Sequence, residues 1–447
     1  MPQTSAEGTS APPLDRPRAS RRGTLLRAGK LLLTLAVIAL VASLVPWSDQ
    51  VVWSVDGERY EVPGEMGRGW KDARVGFTVS SEFVVPETWP PLAREALRPG
   101  ASVTLDDAHG VRSAEDEVLE LGGTFEKKPG MPRVFSTLDP TGLVLAILSI
   151  LAGALVCVVR WWWILALADC PMRLWAVTRL TFVGLFYNIL LPGTTGGDLV
   201  KAALAVRDNP LRRANALVSI FVDRLIGLLA LATLAAVMIL VIGDELAALR
   251  IPVALFLAAG VAAALVHSSR AARRVLRFDW ILERLPLAAR VKKVDQALLL
   301  YSKAPLKLGS AYAISFVNHL FNVCAVFALA RAFGDELPLV SHLAITPIAN
   351  AVSSLPLTAG GWGFGEAAYG FLFALFGSSA TIGMAASVAL RLCTLFVGIV
   401  FGGAALLAPG GPEKTEVRGK GHPDPAKAGE HAERGAARNL PIGYDPS

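Results

Sequence analysis

Long apolar blocks separated by short polar connectors make up most of this chain, and one stretch near its start breaks the rhythm. The blocks run at about 141–167, 174–191, 214–242, 251–267, 309–333, 338–357, 367–377 and 380–408. A helix needs roughly 20 apolar residues to cross the hydrocarbon core, so several blocks predict membrane spans, though not all of them need cross. An earlier run, Leu31 to Val45, follows Arg16, Arg18, Arg21, Arg22, Arg27 and Lys30. It reads as a first span over residues 25–46 that starts in the cytoplasm, or alternatively as a signal peptide with Ala42-Ser43-Leu44 as its cleavage signal. The predicted fold class is an all-α polytopic membrane protein, a helix bundle of about seven to nine membrane segments, with a small β-rich soluble insertion.

That insertion is residues 47–137. Short alternating stretches such as Val51 to Val55 and Ala101 to Leu105 stand between Gly, Pro and Asp turn signals, a period of two that predicts strands. It holds 16 acidic and 10 basic residues and no cysteine, which suits an extracytoplasmic location. Residues 1–24 and 409–447, rich in Pro, Gly and charge, are expected to be disordered.

With 53% hydrophobic residues, 18% charged and a mean hydropathy of +0.49, the chain is an integral membrane protein. Its net charge of +6 sits beside membrane segments, which excludes a nucleic-acid partner. Cys157, Cys170, Cys324 and Cys393 have neither metal-ligand nor disulfide spacing. No P-loop, no G-x-S-x-G and no paired metal-ligand histidines occur, so no cofactor, metal or ATP-driven pumping is expected.

Charge also orders the topology. Residues 268–308 carry ten basic and three acidic side chains and are placed in the cytoplasm, whereas Asp244 and Glu245 mark an outside loop. Within the basic loop, Val275, Phe278, Ile281, Leu282 and Leu285 recur at helical spacing, as in a helix lying on the membrane surface or packed on the bundle. Counting inward from these loops puts both ends of block 174–191 on the cytoplasmic side. The block therefore enters and returns, unless one of the side assignments is wrong.

Two breaks explain how it returns. Leu191-Pro192-Gly193-Thr194-Thr195-Gly196-Gly197-Asp198 and Leu355-Pro356-Leu357-Thr358-Ala359-Gly360-Gly361-Trp362 share the pattern L-P-x-T-x-G-G. Proline and paired glycines stop a helix and release backbone N–H and C=O groups that lipid cannot satisfy. Paired interruptions in two halves of a chain point to an inverted pair of hairpins around a polar cavity.

Charged side chains near these breaks cost about 2.5–3.5 kcal/mol each within a bilayer, so each needs a reason. Asp198 and Lys201 follow the first break, Glu366 follows the second, Asp223 and Arg224 lie within block 214–242, and Arg391 lies within 380–408. They either pair with one another or meet a ligand. In the second case Arg224, Arg391 and Lys201 would hold a phosphate, and Asp198 and Glu366 an amine or hydroxyls. The breaks contribute Pro192, Gly196, Gly197, Pro356, Gly360 and Gly361 to such a site. Asn188, Asn318, Asn322 and Asn350 are further polar groups within apolar blocks, equally suited to plain interhelical hydrogen bonds. His319 is read as the one histidine well inside a span, in a structural role, and Trp161-Trp162-Trp163 as an interfacial belt.

The stretch Asn188 to Lys201, the pair Asp223-Arg224 with Gly227, the stretch Pro356 to Glu366, and Arg391 together resemble the membrane region of lysylphosphatidylglycerol synthases, the flippase-like UPF0104 family. The resemblance spans roughly residues 140–408. It implies an all-helical membrane domain that moves charged-headgroup lipids between leaflets of the cytoplasmic membrane. No segment matches the family's soluble aminoacyltransferase domain, so synthase activity is not carried over. The chain departs from the family at Lys201, where relatives often have arginine, and at Gly365, where many have a basic residue. The leading expectation is a non-enzymatic carrier whose partner is a lipid with a charged or phosphate headgroup. The alternatives are a membrane-embedded transferase or hydrolase using Asp198 or Glu366 as general base, and a scaffold recruiting an envelope glycosyltransferase through residues 47–137.

Overall fold

Asp56 and Gly57, with φ of 51° and 82°, close a two-residue hairpin between β1 (Asp49–Val55) and β2 (Glu58–Met66). Both positions need positive φ in a turn that matches strand twist, and Asp-Gly supplies it at little cost. The chain continues through β3 (Arg74–Val79), the short helix α1 (Pro91–Ala96), β4 (Ser102–Asp106), β5 (Gly110–Arg112), β6 (Val118–Leu119) and β7 (Thr124–Lys128). These strands form one antiparallel sheet in the order β6-β5-β4-β3-β2-β1-β7. In β3 the odd-numbered Val75, Phe77 and Val79 are buried while Arg74, Gly76 and Thr78 are exposed, the signature of a sheet with one packed face. Trp53, Val62, Trp89, Leu97, Val103 and Val111 complete that core.

In this computed structural model the described residues are 46–106, 110–113, 117–119, 121–190, 196–242, 247–275, 288–354, 358 and 361–407, together with 32, 36, 39, 40, 42 and 43. The expectations for residues 1–24 and 409–447, for most of the first span and for the surface helix beyond Val275 fall outside them.

A short helix, α2 (Met131–Ser136), leads into α3 (Pro140–Leu167). Asp139 caps α3 through the Thr141 N–H at 3.0 Å, and Pro140 occupies the first turn, where its missing donor costs nothing. Then follow α4 (Leu174–Leu190), α5 (Gly196–Asp208), α6 (Arg213–Ile242), α7 (Ala247–Ser268), α8 (Arg270–Val275), α9 (Ala288–Ser302), α10 (Pro305–Ala332), α11 (Leu339–Ser354), α12 (Phe364–Leu375) and α13 (Ala380–Val397). A π-helical turn, Gly398–Gly402, joins α13 to α14 (Gly403–Leu407) and packs Phe401 on Phe182 of α4. Among the described residues, four helices are long and apolar enough to cross a membrane: Pro140–Leu167, Arg213–Val241, Pro305–Ala332 and Ala380–Leu407. The protein is thus mostly helical, with a small antiparallel sheet.

The sheet is fastened to one end of the bundle. Lys71 donates to the carbonyls of Ala332 (3.2 Å) and Thr137 (3.4 Å), and Trp70 Nε1 donates to Thr137 Oγ1 (3.0 Å). Phe135 and Phe333 meet edge to face at 5.2 Å, and buried Asp49 accepts from Gly130 N–H and Arg133 Nε, each at 2.8 Å. This end of α10 is the sheet end of the bundle.

Candidate functional site

The charged residues singled out from sequence fall into two groups, one at each break. At the first, α5 starts at buried Gly196 and Gly197, and Asn188, near the end of α4, accepts the Gly197 N–H through Oδ1 at 2.7 Å. One of the orphan donors of the α5 N-terminus is thereby satisfied by the arm that precedes it. A methyl at Gly197 would collide with the Gly184 carbonyl and the Asn188 side chain, so only glycine lets α4 and α5 approach this closely. Asp198, in the first turn of α5, pairs with Arg224 of α6.

Below this pair lies a second layer. Arg160, buried in the last third of α3, donates from Nε to Asp223 Oδ1 at 2.8 Å and from Nη1 to Ser315 Oγ at 3.0 Å. Asp223 therefore pairs with Arg160, the residue that directly precedes the run Trp161-Trp162-Trp163. Lys201 is 7% exposed, and its ammonium sits 3.7 Å from the centroid of the Trp161 ring. Trp161 is itself fully buried and donates to Ser219 Oγ at 3.2 Å. The reading of Trp161 as part of an interfacial belt is corrected: α6 and α5 cover it, and its π face receives a cation. Trp162 and Trp163 instead cap carbonyls of Met172 (2.9 Å) and Lys307 (3.1 Å). Among the described residues of this group, three basic side chains, Arg160, Lys201 and Arg224, stand with two carboxylates, Asp198 and Asp223, one more base than acid.

The second break is wired differently. Glu366 reaches back with Oε2 to accept the N–H of Gly363 at 2.6 Å, capping its own helix α12. Its Oε1 meets Arg391 Nε at 2.6 Å and Ser387 Oγ at 3.5 Å. Arg391 also donates from Nη2 to the carbonyl of buried Gly361 at 2.8 Å and lies 4.7 Å over the Trp362 ring. Thr358, 4% exposed, donates to the Trp362 carbonyl at 2.9 Å. Gly365, the departure from the family, has a local reason: any side chain there would occupy the space of the Arg391 guanidinium and Ser353 Oγ. Beside this break an apolar cavity of about 380 Å³ is lined by Trp47, Met131, Phe135, Trp362, Met384 and Val388, among others.

Helix α10 runs along both groups. Ser315, His319 and Asn322 stand at i, i+4 and i+7 and so share one face. Ser315 accepts from Arg160, His319 Nε2 lies 3.0 Å from the Gly227 carbonyl, and Asn322 accepts from Asn350 at 2.7 Å. Asn350 in turn accepts from the Tyr369 hydroxyl at 3.1 Å. Asn318 Oδ1 lies against Gly153 of α3. The asparagines are interhelical partners, and they line a polar strip between the two breaks.

Of the residues singled out from sequence, Asn188, Gly196, Gly197, Asp198, Lys201, Asp223 and Arg224 come together at the first break, and Gly361, Glu366 and Arg391 at the second. Pro192, Pro356 and Gly360 lie outside the described residues. Sequence reasoning passed over Arg160, Ser315 and Ser387. Arg160 carried a detectable signal, a lone arginine in a 28-residue apolar helix. His319 is also not alone among apolar helices, because His342 on α11 is completely buried. Among the described residues no cluster suited to a metal ion is found.

Comparison with known proteins follows the same boundaries. The family model for the lysylphosphatidylglycerol synthase TM region matches residues 130–402, which begins just past the last strand of the sheet. A UPF0104 membrane protein of Pyrococcus horikoshii is 21% identical over 288 residues, covering 59% of this chain and 86% of that relative. No solved structure matches the chain. With apolar helices of membrane-spanning length and a family match over more than half its residues, the chain is a multi-pass membrane protein and belongs to the lysylphosphatidylglycerol synthase transmembrane-region family.

Proposed function

We propose that this protein moves an anionic phospholipid between the leaflets of the cytoplasmic membrane, and that the first break holds the headgroup. The observation that carries this reading is Lys201, a cation 7% exposed whose partner is the face of Trp161 rather than a carboxylate. A buried ammonium is costly unless something compensates it, and the surplus of one cation in this group matches a single phosphodiester. Arg224 stands at the more open side of the group, its side chain 46% exposed, where a guanidinium binds phosphate oxygens in bidentate fashion. The strip along α10 offers a polar headgroup further partners, and the cavity beside the second break suits hydrocarbon.

In this reading α4 with α5 and α11 with α12 are hairpins that enter the bilayer and return, from opposite faces. Together with the four long helices, α7 and a first helix they bring the count to seven to nine membrane segments. The sheet then lies outside the cell. Glu366 spends both oxygens on its own helix cap and on Arg391, which weighs against its acting as a general base.

Purified protein reconstituted into vesicles with a fluorescent anionic phospholipid tests the proposal. Accelerated movement, lost in Lys201→Gln and kept in Lys201→Arg, is the expected result. No acceleration over empty vesicles for anionic, zwitterionic or aminoacylated lipids would sink it.

A further inference from the structure

A second titratable group lies far from the headgroup residues, at the sheet end of the bundle. His342 of α11 is completely buried and Asp335, in the turn between α10 and α11, is 2% exposed. His342 Nε2 and Asp335 Oδ2 stand 3.4 Å apart, both shut off from solvent, and neither atom has a hydrogen-bond partner. His342 Nδ1 lies 3.3 Å from the Pro338 carbonyl, and Asp335 Oδ1 accepts from Ser378 Oγ in the turn between α12 and α13. The imidazole is walled by Phe327 at 5.2 Å and Phe373 at 5.5 Å, both edge to face.

Counting protons across this arrangement leaves it one short. Only a protonated Nδ1 can donate to the Pro338 carbonyl, and in a neutral imidazole that leaves Nε2 as a bare acceptor. Facing it is a carboxylate oxygen, also an acceptor. Two lone pairs 3.4 Å apart and shut off from solvent repel each other, and one added proton turns the repulsion into attraction between an imidazolium and a carboxylate. The opposite tautomer fails in the same way, because it sets bare Nδ1 against the carbonyl. The other groups around the imidazole do not supply the proton. Arg331 at the end of α10 spends its guanidinium on the carbonyls of Asp335 (3.1 Å) and Leu337 (3.4 Å), α12 presents Phe373, and the following turn presents Ser378.

We propose that His342 and Asp335 form a proton-binding site, and that the bound proton fastens the turn after α10 and the turn after α12 to α11 at the sheet end of the second hairpin. One O–H or N–H bond forms on binding and none breaks. Loss of the proton leaves a buried carboxylate facing a lone pair and releases the fastening. Its contribution to stability is present below the pair's titration midpoint and is lost as pH rises through it. The site stands independently of which lipid the protein carries, or whether it carries one.

The test uses the full-length protein in nanodiscs, with pH-difference infrared spectra and thermal unfolding from about pH 4 to about pH 10. The wild type is expected to show a carboxyl and an imidazole difference component, above those of the other acidic residues and histidines, that Asp335→Asn and His342→Gln lack. A glutamine amide donates to Asp335 without needing a proton, so His342→Gln folds and its melting temperature loses the wild-type decline with pH. Ser378→Ala removes a donor to the carboxylate and raises the midpoint by about one pH unit. Wild-type spectra that superimpose on those of His342→Gln, or a Ser378→Ala midpoint that does not rise, would overturn the assignment.

Discussion

The two L-P-x-T-x-G-G breaks are near copies in sequence and are wired in opposite ways. At the second, Glu366, Arg391, Gly361 and Gly363 satisfy one another, so charge and backbone donors close on themselves. At the first, the carboxylate turns to Arg224 of another helix, the backbone donor is capped by Asn188, and Lys201 is left to the face of an indole. The difference teaches that one interrupted segment serves as a staple and the other retains unspent charge. A repeated motif fixes where the helix stops, and the helices packed against it decide what the stop can do.

The sharpest way to break this comparison is to remove one cation at each break. Arg391→Ala strands Glu366, 5% exposed, and is expected to cost about 3–5 kcal/mol in denaturant unfolding of the detergent-solubilised protein. Lipid movement would fall with stability, because the second break can no longer hold its turn. Lys201→Gln is the converse. It forfeits a cation–π contact of at most about 2 kcal/mol and relieves a buried charge, so unfolding changes little while lipid movement falls about tenfold or more. If Lys201→Gln proved as destabilising as Arg391→Ala, the two breaks would be the same kind of element.

Smaller changes sharpen the same contrast. Gly365→Ala pushes a methyl into the Arg391 guanidinium and is expected to cost about 1–3 kcal/mol, an effect that Arg391→Ala should abolish in a double-mutant cycle. The smallest effect belongs outside the bundle, at Lys71. Burial holds its ammonium below the usual lysine range, against the opposing pull of Asp139. A lysine that binds its proton less tightly when folded adds stability as pH rises from the folded midpoint toward the ordinary lysine value. Lys71→Met should therefore flatten a slight gain in melting temperature as pH rises toward the ordinary lysine value, and leave lipid movement unchanged.

Much of the helical architecture could be read in advance, because apolar runs of 28 residues leave the backbone no other way to satisfy its hydrogen bonds in lipid. Strands at Val51 to Val55 and Ala101 to Leu105 followed from alternation, and the Asp56-Gly57 turn from its dihedral demands. The pairing of charges was not legible. Asp223 stands next to Arg224 in sequence, yet adjacent residues on a helix point about 100° apart, and its partner is Arg160 on another helix. His342 and Asp335 went unnoticed for a similar reason: six residues separate them, and burial, which makes their proton matter, has no one-dimensional signature.

By itself, then, the sequence determined where this chain is apolar, where its helices must stop and which residues carry charge, because those follow from local composition and from the backbone's need for hydrogen bonds. Only the tertiary structure decided which charges neutralise one another, which one is left over and which buried pair lacks a proton. Electrostatic partnership depends on distance and on the exclusion of water, and both are set by how separate helices pack.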